Sequence, residues 1–360
     1  MRRAALMLLA VAVMLSGCAA IGAVENQAYA LVLGVEDGPD GGIQLSIRIP
    51  RVGSSGPDAQ EGKGEPYLVL SAAGDSYEQA LERLQWAAAR ELNLSHLKLI
   101  IVSEALAESE RFPVLIRRIA ETRHLYTTAG FIVCPGGAKA FIEGQQTIQG
   151  TRLSSEISAM FRHYARHGYI PWATFADLYY ATVSGLSDPT GIMGYPADDA
   201  RLPEAQTASE RQYLGAAVFR DGRLAAKLND RDTLWLNLLT TRLDSFTYTC
   251  GGRDYALSCA KKPRRTVTLD GEGVKVGATL WLSSEDAAAE EALEAVARDM
   301  SATLTDMIRR CQAMGLEPFG FAERAAAHFL TLEDWRAFDW RGRFPSARVE
   351  VKVNILGSGE

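Results

Sequence analysis

Two histidines, His163 and His167, stand four residues apart in a segment with helical periodicity. Side chains at this spacing share one face of a helix, so the two imidazoles could bind the same metal ion. A zinc site needs three or four ligands, and no third ligand stands nearby to complete this one. We therefore interpret the pair as part of a solvated polar helix face, and we predict no metal site.

The other residue types that could carry chemistry do not form a catalytic motif. His96 and Lys98 stand at the edge of a predicted strand and could act as a functional pair, although a structural role where the strand emerges fits them better. No serine lies in a G-x-S-x-G motif, and adjacent carboxylates such as Glu290 and Glu291 do not face a common point. Neither a G-x-G-x-x-G loop after a strand nor a P-loop occurs. The sequence thus predicts a non-enzymatic scaffold or binding protein with no catalytic residues and no cofactor.

One cysteine near the N-terminus has a clear chemical context. Arg2 and Arg3 precede an unbroken apolar run over 4–15, which is too short to span a bilayer and is typical of a secretory signal. The run ends in a four-residue motif that resembles the bacterial lipobox: Leu15, Ser16, Gly17 and Cys18. In that motif the cysteine thiol accepts a diacylglyceryl group and becomes the first residue of the mature chain.

This motif predicts a signal peptide over 1–17 and a lipid-anchored tether over 18–27. Two acyl chains hold a protein durably on a membrane, so we expect the mature chain to be attached there, outside the cytoplasm. The alternatives are a plain cleaved signal that ends near Ala19 and Ala20, and an uncleaved anchor.

Composition limits the partners of the mature chain. The protein has 360 residues and a net charge of −6, so it has no electrostatic reason to bind nucleic acid or anionic lipid. Beyond the signal, no apolar stretch approaches the length of a membrane span. Attachment to the membrane is therefore expected from the acyl chains alone.

The remaining cysteines raise the question of a disulfide, which export would permit. They are Cys134, Cys250, Cys259 and Cys311. Only Cys250 and Cys259 are near in sequence, and they flank the turn-like stretch 251–254. With that turn, Cys250 would face about Tyr255 and Cys259 about Phe246, beyond the roughly 7 Å limit for a bridge. A shifted turn would allow the bond, so both outcomes stay open.

Strands and helices alternate through the first part of the chain. Strands are predicted near 28–36, 43–49, 67–72, 96–103 and 128–134, with helices near 75–88 and 113–122. The run over 96–103 is almost continuously apolar, as expected of a strand covered on both faces. This alternation predicts an N-terminal α/β domain over 28–150 with right-handed crossovers and a partly parallel sheet.

The rest of the chain divides into a helical middle and a β-rich end. Helices are predicted over 154–167 and 174–185, in a middle domain or linker that covers 151–205, and Ser187–Glu210 is predicted to be the main domain boundary. A C-terminal domain over 210–360 follows, in which a mixed sheet packs on a long helix near 285–314. Trp335 and Trp340 in this domain are expected to be core or interface anchors. The predicted fold class is α+β or mixed α/β, in a three-domain lipoprotein ectodomain.

Several stretches together resemble the Ger(x)C family of spore germination lipoproteins. They are the lipobox at 15–18, LVLGVE at 31–36, LSHLKLIIVS at 94–103, GAAVFRDGRL at 215–224, Trp235 with its following leucines, GLEPFGF at 315–321, and the terminal strand at 344–357. No one of these stretches is specific, but their order and spacing over nearly the whole chain are.

The resemblance implies the C subunit of a nutrient germinant receptor, with three mixed α/β domains on an N-terminal lipid anchor. It also implies a place on the outer face of the spore's inner membrane, a covalent diacylglycerol lipid with palmitate on Cys18, and assembly with an A-type and a B-type membrane subunit. The family has no accepted catalytic residues. Whether this subunit contacts the germinant stays open. The rival interpretation is a solute-binding lipoprotein that feeds a transporter, a class that usually has two similar lobes around a cleft.

Overall fold

The computed structural model describes residues 26–50, 67–144, 153–196, 211–270, 273–284, 286 and 289–357. The predicted signal peptide, the lipobox residues Leu15, Ser16, Gly17 and Cys18, and most of the predicted tether lie outside these ranges. In the described part, no helix combines the length and the apolar character that a membrane crossing requires.

The N-terminal body is built on an eight-stranded sheet. Its strands are β2 (Val32–Asp37), β3 (Ile43–Pro50), β4 (Tyr67–Gly74), β6 (Leu99–Ser103), β7 (Gly130–Cys134), β8 (Thr190–Pro196), β9 (Arg211–Arg220) and β10 (Arg223–Leu228). A separate two-stranded parallel sheet pairs β1 (Gln27–Tyr29) with β5 (Glu91–Asn93). The helices of this body are α1 (Tyr77–Ala87), α2 (Glu104–Glu108), α3 (Phe112–Ala120), α4 (Ala138–Glu143), α5 (Leu153–Arg166) and α6 (Phe175–Ser184), with a 3-10 turn at Pro39–Gly41.

The eight strands lie in the order β10-β9-β8-β7-β6-β2-β3-β4. The four central strands β8, β7, β6 and β2 are mutually parallel, and the outer strands pair antiparallel. The predicted partly parallel sheet and the mixed α/β class are therefore confirmed.

Both faces of this sheet are covered, because the central strands are apolar at consecutive positions. Ile100 and Val102 face one core, which also holds Phe175 of α6. Leu99 and Ile101 face the opposite core, which holds Ile157 of α5. The apolar run in this strand is buried on both sides, as the sequence predicts.

The predicted helical middle does not form a separate layer. Its two helices, α5 and α6, contribute to the cores on opposite faces of the N-terminal sheet. The predicted boundary at Ser187–Glu210 is also corrected, since 190–196 is the strand β8, which lies between β7 and β9. The hairpin β9–β10, which we assigned to the C-terminal domain from residue 210 onward, completes the same sheet.

The C-terminal body places a smaller sheet against one long helix. Its elements are α7 (Asp230–Thr240), β11 (Phe246–Cys250), β12 (Arg253–Cys259), β13 (Arg264–Asp270), β14 (Gly273–Ser284), α8 (Glu290–Ala313), α9 (Phe321–Ala326), α10 (Leu332–Phe338), α11 (Trp340–Arg343), a 3-10 turn at Phe344–Ser346, and β15 (Arg348–Leu356). The strand order is β11-β12-β14-β13, and β15 pairs parallel with β14. The mixed sheet and the long helix agree with the sequence prediction.

The long helix α8 supplies one side of the C-terminal core. Its buried residues recur at helical spacing and include Leu293, Val296, Met300, Leu304, Met307, Ile308 and Cys311. They pack with Trp235 and Leu239 of α7 and with alternate residues of β14, such as Val276 and Leu280.

Strand β9 links the two bodies. Ala217 and Phe219 lie in the core beneath the N-terminal sheet, whereas Ala216 and Val218 lie in the core of the C-terminal body. Because successive side chains of a strand point to opposite faces, β9 packs against both bodies at once. The two bodies therefore share a strand instead of meeting only through a linker.

The hairpin β11–β12 settles the disulfide question. Cys250 faces Arg253, and the turn is tighter than the one that we predicted from 251–254. Cys259 lies at the far end of β12, about 20 Å away at roughly 3.4 Å per residue. No disulfide joins any two of the four cysteines in the part of the chain that the structure describes.

Candidate functional site

The junction between the two bodies is organised around the loop that follows α8. The long helix ends at Ala313, and the chain turns at Gly315, whose φ is +69°. This left-handed conformation favours glycine and directs the chain to Glu317, which is only 5% exposed.

The carboxylate of Glu317 satisfies three backbone donors at the start of α9. Its Oε1 atom accepts hydrogen bonds from the N–H groups of Phe319 at 3.0 Å and Phe321 at 2.9 Å, and Oε2 accepts one from Ala322 at 3.0 Å. Burial raises the pKa of Glu317 to about 8, although these hydrogen bonds favour the ionised form. Glu317 is therefore a buried titratable group whose carboxyl holds the loop and the helix together.

Asp188 reaches the same loop from the N-terminal body, where it is 6% exposed just before β8. Its Oδ2 atom accepts a hydrogen bond from the N–H of Glu317 at 2.7 Å, and its own N–H donates to the Glu317 carbonyl at 3.3 Å. Burial raises the pKa of Asp188, and the backbone hydrogen bond and the nearby Arg341 oppose that shift. The two bodies are thus joined by a reciprocal pair of hydrogen bonds.

Arg341 of α11 adds an ionic contact at this junction. One guanidinium nitrogen lies 2.6 Å from Asp221 in the β9–β10 turn, and another lies 3.8 Å from Asp188. A second ion pair, between Arg310 of α8 and Asp232 of α7, is bidentate at 2.7 and 3.0 Å. Bidentate geometry makes this second pair the more directional of the two.

An open cleft of about 750 Å³ lies beside the junction, and we call it the interdomain cleft. Residues from both bodies line it, among them Trp172, Tyr180, Val183, Asp188, Arg265 and Glu323. Trp172 is 62% exposed and Tyr180 is 68% exposed, which is unusual for such large aromatic side chains. The cleft therefore presents an apolar, aromatic surface between the two bodies.

Arg265 of β13 stands at the wall of the interdomain cleft. Its Nη1 atom donates to the carbonyl of Phe319, and its Nε atom is buried without a hydrogen-bond partner among the described residues. Burial, together with the nearby charge of Arg324, lowers the pKa of Arg265. The guanidinium keeps a donor that the described residues do not use.

The two histidines considered as metal ligands in the sequence lie close together at the end of α5. The ring centroids of His163 and His167 are 4.4 Å apart, and the Nδ1 atom of His167 is hydrogen-bonded to the His163 carbonyl at 2.8 Å. His167 also stacks on Tyr169. In the described ranges, no three histidine, cysteine or carboxylate side chains are grouped as metal ligands would be.

His96 and Lys98 contact different aromatic rings. His96 stacks on Tyr29 with ring centroids 4.3 Å apart, and the Nζ atom of Lys98 lies 5.9 Å from the ring centroid of Tyr126. The stacked His96 fits the structural role that we expected for it. Lys98 lines a second cavity in the N-terminal body, separate from the interdomain cleft.

The two tryptophans that we expected to be anchors lie in one aromatic group. Trp340 is buried in the C-terminal core, and Trp335 packs against that core with its ring 6.3 Å from that of Trp340. Trp340 is therefore a core residue, and Trp335 is partly buried against the same core.

Sequence reasoning did not single out Asp188 and Glu317. Glu317 lies in the GLEPFGF stretch. Asp188 lies in the predicted linker, where an aspartate is typical of a turn. The sequence did contain one signal for this loop. Gly315 stands two residues before Glu317, and a glycine at the C-terminal end of a helix marks the point where the helix ends and a turn begins.

Comparisons with known proteins give a consistent result over both bodies. Residues 23–191 match the family model described as "Spore germination protein N-terminal domain". Residues 214–356 match the model described as "Spore germination B3/ GerAC like, C-terminal". The first matched segment ends within β8, and the second begins within β9.

A solved structure described as "Crystal Structure of the GerBC protein" superposes with a TM-score of 0.55. The superposition covers 91% of this chain and 97% of that chain at 11% sequence identity, so the two share a fold. No curated protein matched the sequence.

Proposed function

Because this chain belongs to the Ger(x)C family of spore germination proteins, we propose that it is a membrane-anchored, non-catalytic subunit of a nutrient germinant receptor. In this proposal it assembles with an A-type and a B-type integral-membrane subunit, and the assembled receptor triggers germination. The observation that carries the proposal is that the two family segments together extend over both bodies of the chain.

The proposed anchor is a diacylglyceryl group on Cys18, added after recognition of Leu15, Ser16 and Gly17. Each buried methylene contributes about 0.8 kcal/mol, so two acyl chains would hold the chain on the outer face of the cell or spore inner membrane. Confinement to the membrane plane raises the effective concentration of the chain near its membrane partners.

The proposed non-catalytic role is supported by what the most distinctive side chains do. The Glu317 carboxylate accepts three backbone N–H groups, and the Asp188 carboxylate accepts one more. Backbone donors of the protein itself occupy these carboxylates, and this occupancy supports a role in holding the loop. The junction therefore supports a subunit that presents a defined shape to its partners.

The interdomain cleft is the surface that we propose for contact with a partner subunit. Exposed aromatic side chains contribute much of the binding energy at protein interfaces, and Trp172, Tyr180 and Val183 lie together on this cleft. The rival class, a solute-binding lipoprotein, closes two similar lobes around its ligand. Here the two bodies differ in strand number and in topology.

Purification of a tagged chain from spore membranes in a mild detergent tests the proposed function. We expect two integral-membrane proteins to be recovered with it, one of them transporter-like. Recovery of the chain alone, or with the components of a nutrient uptake transporter, would contradict receptor assembly. The Cys18→Ala variant serves as a matched control, since loss of the anchor lowers the concentration of the chain near its partners.

A further inference from the structure

A second cavity lies inside the N-terminal body, between α5 and the first residues of β6 and β7. Its volume is about 210 Å³, and we call it the Lys98 pocket. Its apolar wall includes Leu97, Ala129, Ile157, Phe161, Ile170 and Ile192. The chain at 170–174 closes one side, because the N–H of Phe131 donates to the carbonyl of Ala173 and the N–H of Phe175 donates to that of Ala129.

Two cationic side chains line the Lys98 pocket, Lys98 and Arg162, and none of the described residues in its lining is acidic. Among the described residues, neither cation takes part in an ion pair. Lys98 is half-buried with its Nζ atom 5.9 Å from the ring of Tyr126, and Arg162 is exposed. Two uncompensated positive charges beside an apolar cavity create a local potential that attracts an anion.

We propose that the Lys98 pocket binds a small organic anion with one carboxylate and a compact apolar body. The carboxylate lies between Nζ of Lys98 and the guanidinium of Arg162, and the body fills the apolar cavity. Arg162 can hold a carboxylate through two parallel N–H donors, and Lys98 adds a point charge. This inference goes beyond the proposed function, which requires no small-molecule site in this chain.

The volume and the charge of the pocket restrict the class of anion. Drug-sized ligands occupy roughly 300–1,000 Å³, so a cavity of about 210 Å³ fits a smaller metabolite. A phosphate without an apolar body would leave the apolar wall unused. An α-amino acid carries an ammonium group for which the lining offers no carboxylate, and burial of an unpaired charge is costly. Asp177 of α6 lies outside this lining and is engaged by the N–H and the hydroxyl of Thr174.

Isothermal titration of the full-length protein in detergent tests this inference with four probes. They are isocaproate, its amino derivative leucine, the neutral alcohol isohexanol, and inorganic phosphate. We expect isocaproate to bind most tightly, and we expect its affinity to fall as salt is raised, because both cations are accessible to solvent. Binding of phosphate, leucine or the alcohol as tight as that of isocaproate, or no binding of isocaproate, would overturn the proposal.

Variants assign the binding to this pocket. Lys98→Met and Arg162→Met should each weaken isocaproate about tenfold or more, as expected for a lost charge-assisted hydrogen bond. Lys98→Arg should retain most of the affinity, and this variant separates loss of charge from loss of fold. Thr128→Trp, which places bulk at the exposed mouth, should abolish binding.

Lys139→Met is the matched control, because Lys139 is a half-buried lysine of the same body that pairs with Glu143 outside the pocket. It should bind isocaproate as the parent protein does. An equal loss in Lys139→Met and Lys98→Met, or unchanged affinity in Lys98→Met, would show that the anion binds elsewhere. The co-purification experiment reports on receptor assembly alone, so its outcome is independent of this one.

Discussion

Asp188 and Glu317, which are 129 residues apart in sequence, exchange two hydrogen bonds across the junction of the two bodies. The Asp188 carboxylate accepts the N–H of Glu317 at 2.7 Å, and the Glu317 carbonyl accepts the N–H of Asp188 at 3.3 Å. Both residues are buried, so water does not compete for these bonds. The relationship ties the strand β8 of one sheet to the loop that ends the long helix of the other body.

Replacement of Glu317 by alanine should destabilise the protein severely. It would leave the N–H groups of Phe319, Phe321 and Ala322 without their acceptor, and each buried unsatisfied donor costs about 1–3 kcal/mol. We expect the free energy of unfolding to fall by about 3 kcal/mol or more, measured by urea denaturation. Glu323→Ala on the same helix is the matched control, since Glu323 is exposed, and it should change stability by less than about 0.5 kcal/mol.

The stability of the protein should fall as the pH rises from about 4.5 to about 8, the interval between the ordinary pKa of Glu317 and its raised value in the fold. An acid whose pKa is raised on folding stabilises the fold fully below its unfolded pKa, and this contribution is lost as the pH rises through the folded pKa. Burial also raises the pKa of Asp188, so its effect has the same sign. The slope for one group is at most about 1.4 kcal/mol per pH unit.

Denaturation of the parent protein and of Glu317→Gln across this range measures that slope. Glutamine does not titrate, so the variant should show a flatter profile than the parent protein. Identical profiles for the two proteins would mean that Glu317 keeps an ordinary pKa in the fold.

Tyr180→Arg should weaken assembly with a membrane partner. The side chain is 68% exposed on the interdomain cleft, and loss of an aromatic anchor from an interface costs about 2 kcal/mol or more. The measurement is the amount of partner protein recovered from spore membranes. Trp86→Arg is the control, because Trp86 is 74% exposed on α1 and does not line the cleft. Equal recovery of the partner protein with Tyr180→Arg and Trp86→Arg would contradict the proposal that the interdomain cleft contacts the partner.

All four cysteines beyond the anchor should react with an alkylating agent once the protein is unfolded without reductant. The β11–β12 register places Cys250 opposite Arg253, too far from Cys259 for a bridge. Intact-mass spectrometry should therefore show four added groups on Cys134, Cys250, Cys259 and Cys311. A disulfide would be revealed by a species that carries only two alkyl groups and gains the other two once a reductant is added.

Cys18→Ala should move the protein from the membrane fraction to the soluble fraction. Without the acyl chains, the acidic chain has no electrostatic attraction to an anionic membrane. Immunoblotting of fractionated cells measures the shift, and mass spectrometry of the mature N-terminus of the parent protein gives the modification directly. An unmodified N-terminus in the parent protein would contradict lipidation.

The features that the sequence predicted well are those set by neighbours in the chain. The helix predicted over 174–185 is α6, and the hydroxyl of Thr174 at its start accepts the N–H of Asp177, a contact between residues three apart. The strand predicted near 43–49 is β3, although Ser46 and Arg48 on its second face are buried as well. Such local patterns need no knowledge of the rest of the fold.

Strand β8 was not predicted, because its residue types are determined by contacts with residues that are far away in the sequence. The segment Thr190–Pro196 contains two glycines and a terminal proline, which favour turns in a sequence taken alone. In the fold, a Cβ atom on Gly191 would lie 3.0 Å from the Phe131 ring, and one on Gly194 would lie 2.7 Å from the Phe141 ring. These glycines are required by aromatic rings from other elements, so no local rule could place the strand. The same limit applies to Glu317 and its partner Asp188.

Strand β9, whose alternate side chains enter both cores, also affects how the protein can be divided. The two matched segments end and begin inside β8 and β9, at residues 191 and 214. A fragment cut at either point would expose unpaired sheet backbone and a bare hydrophobic layer, and we would expect it to aggregate. A cut in the interval 197–210 would instead leave β8 and β9 whole. Two fragments made there and expressed together should recombine into one particle, which makes this interval the natural place for split-protein reporters.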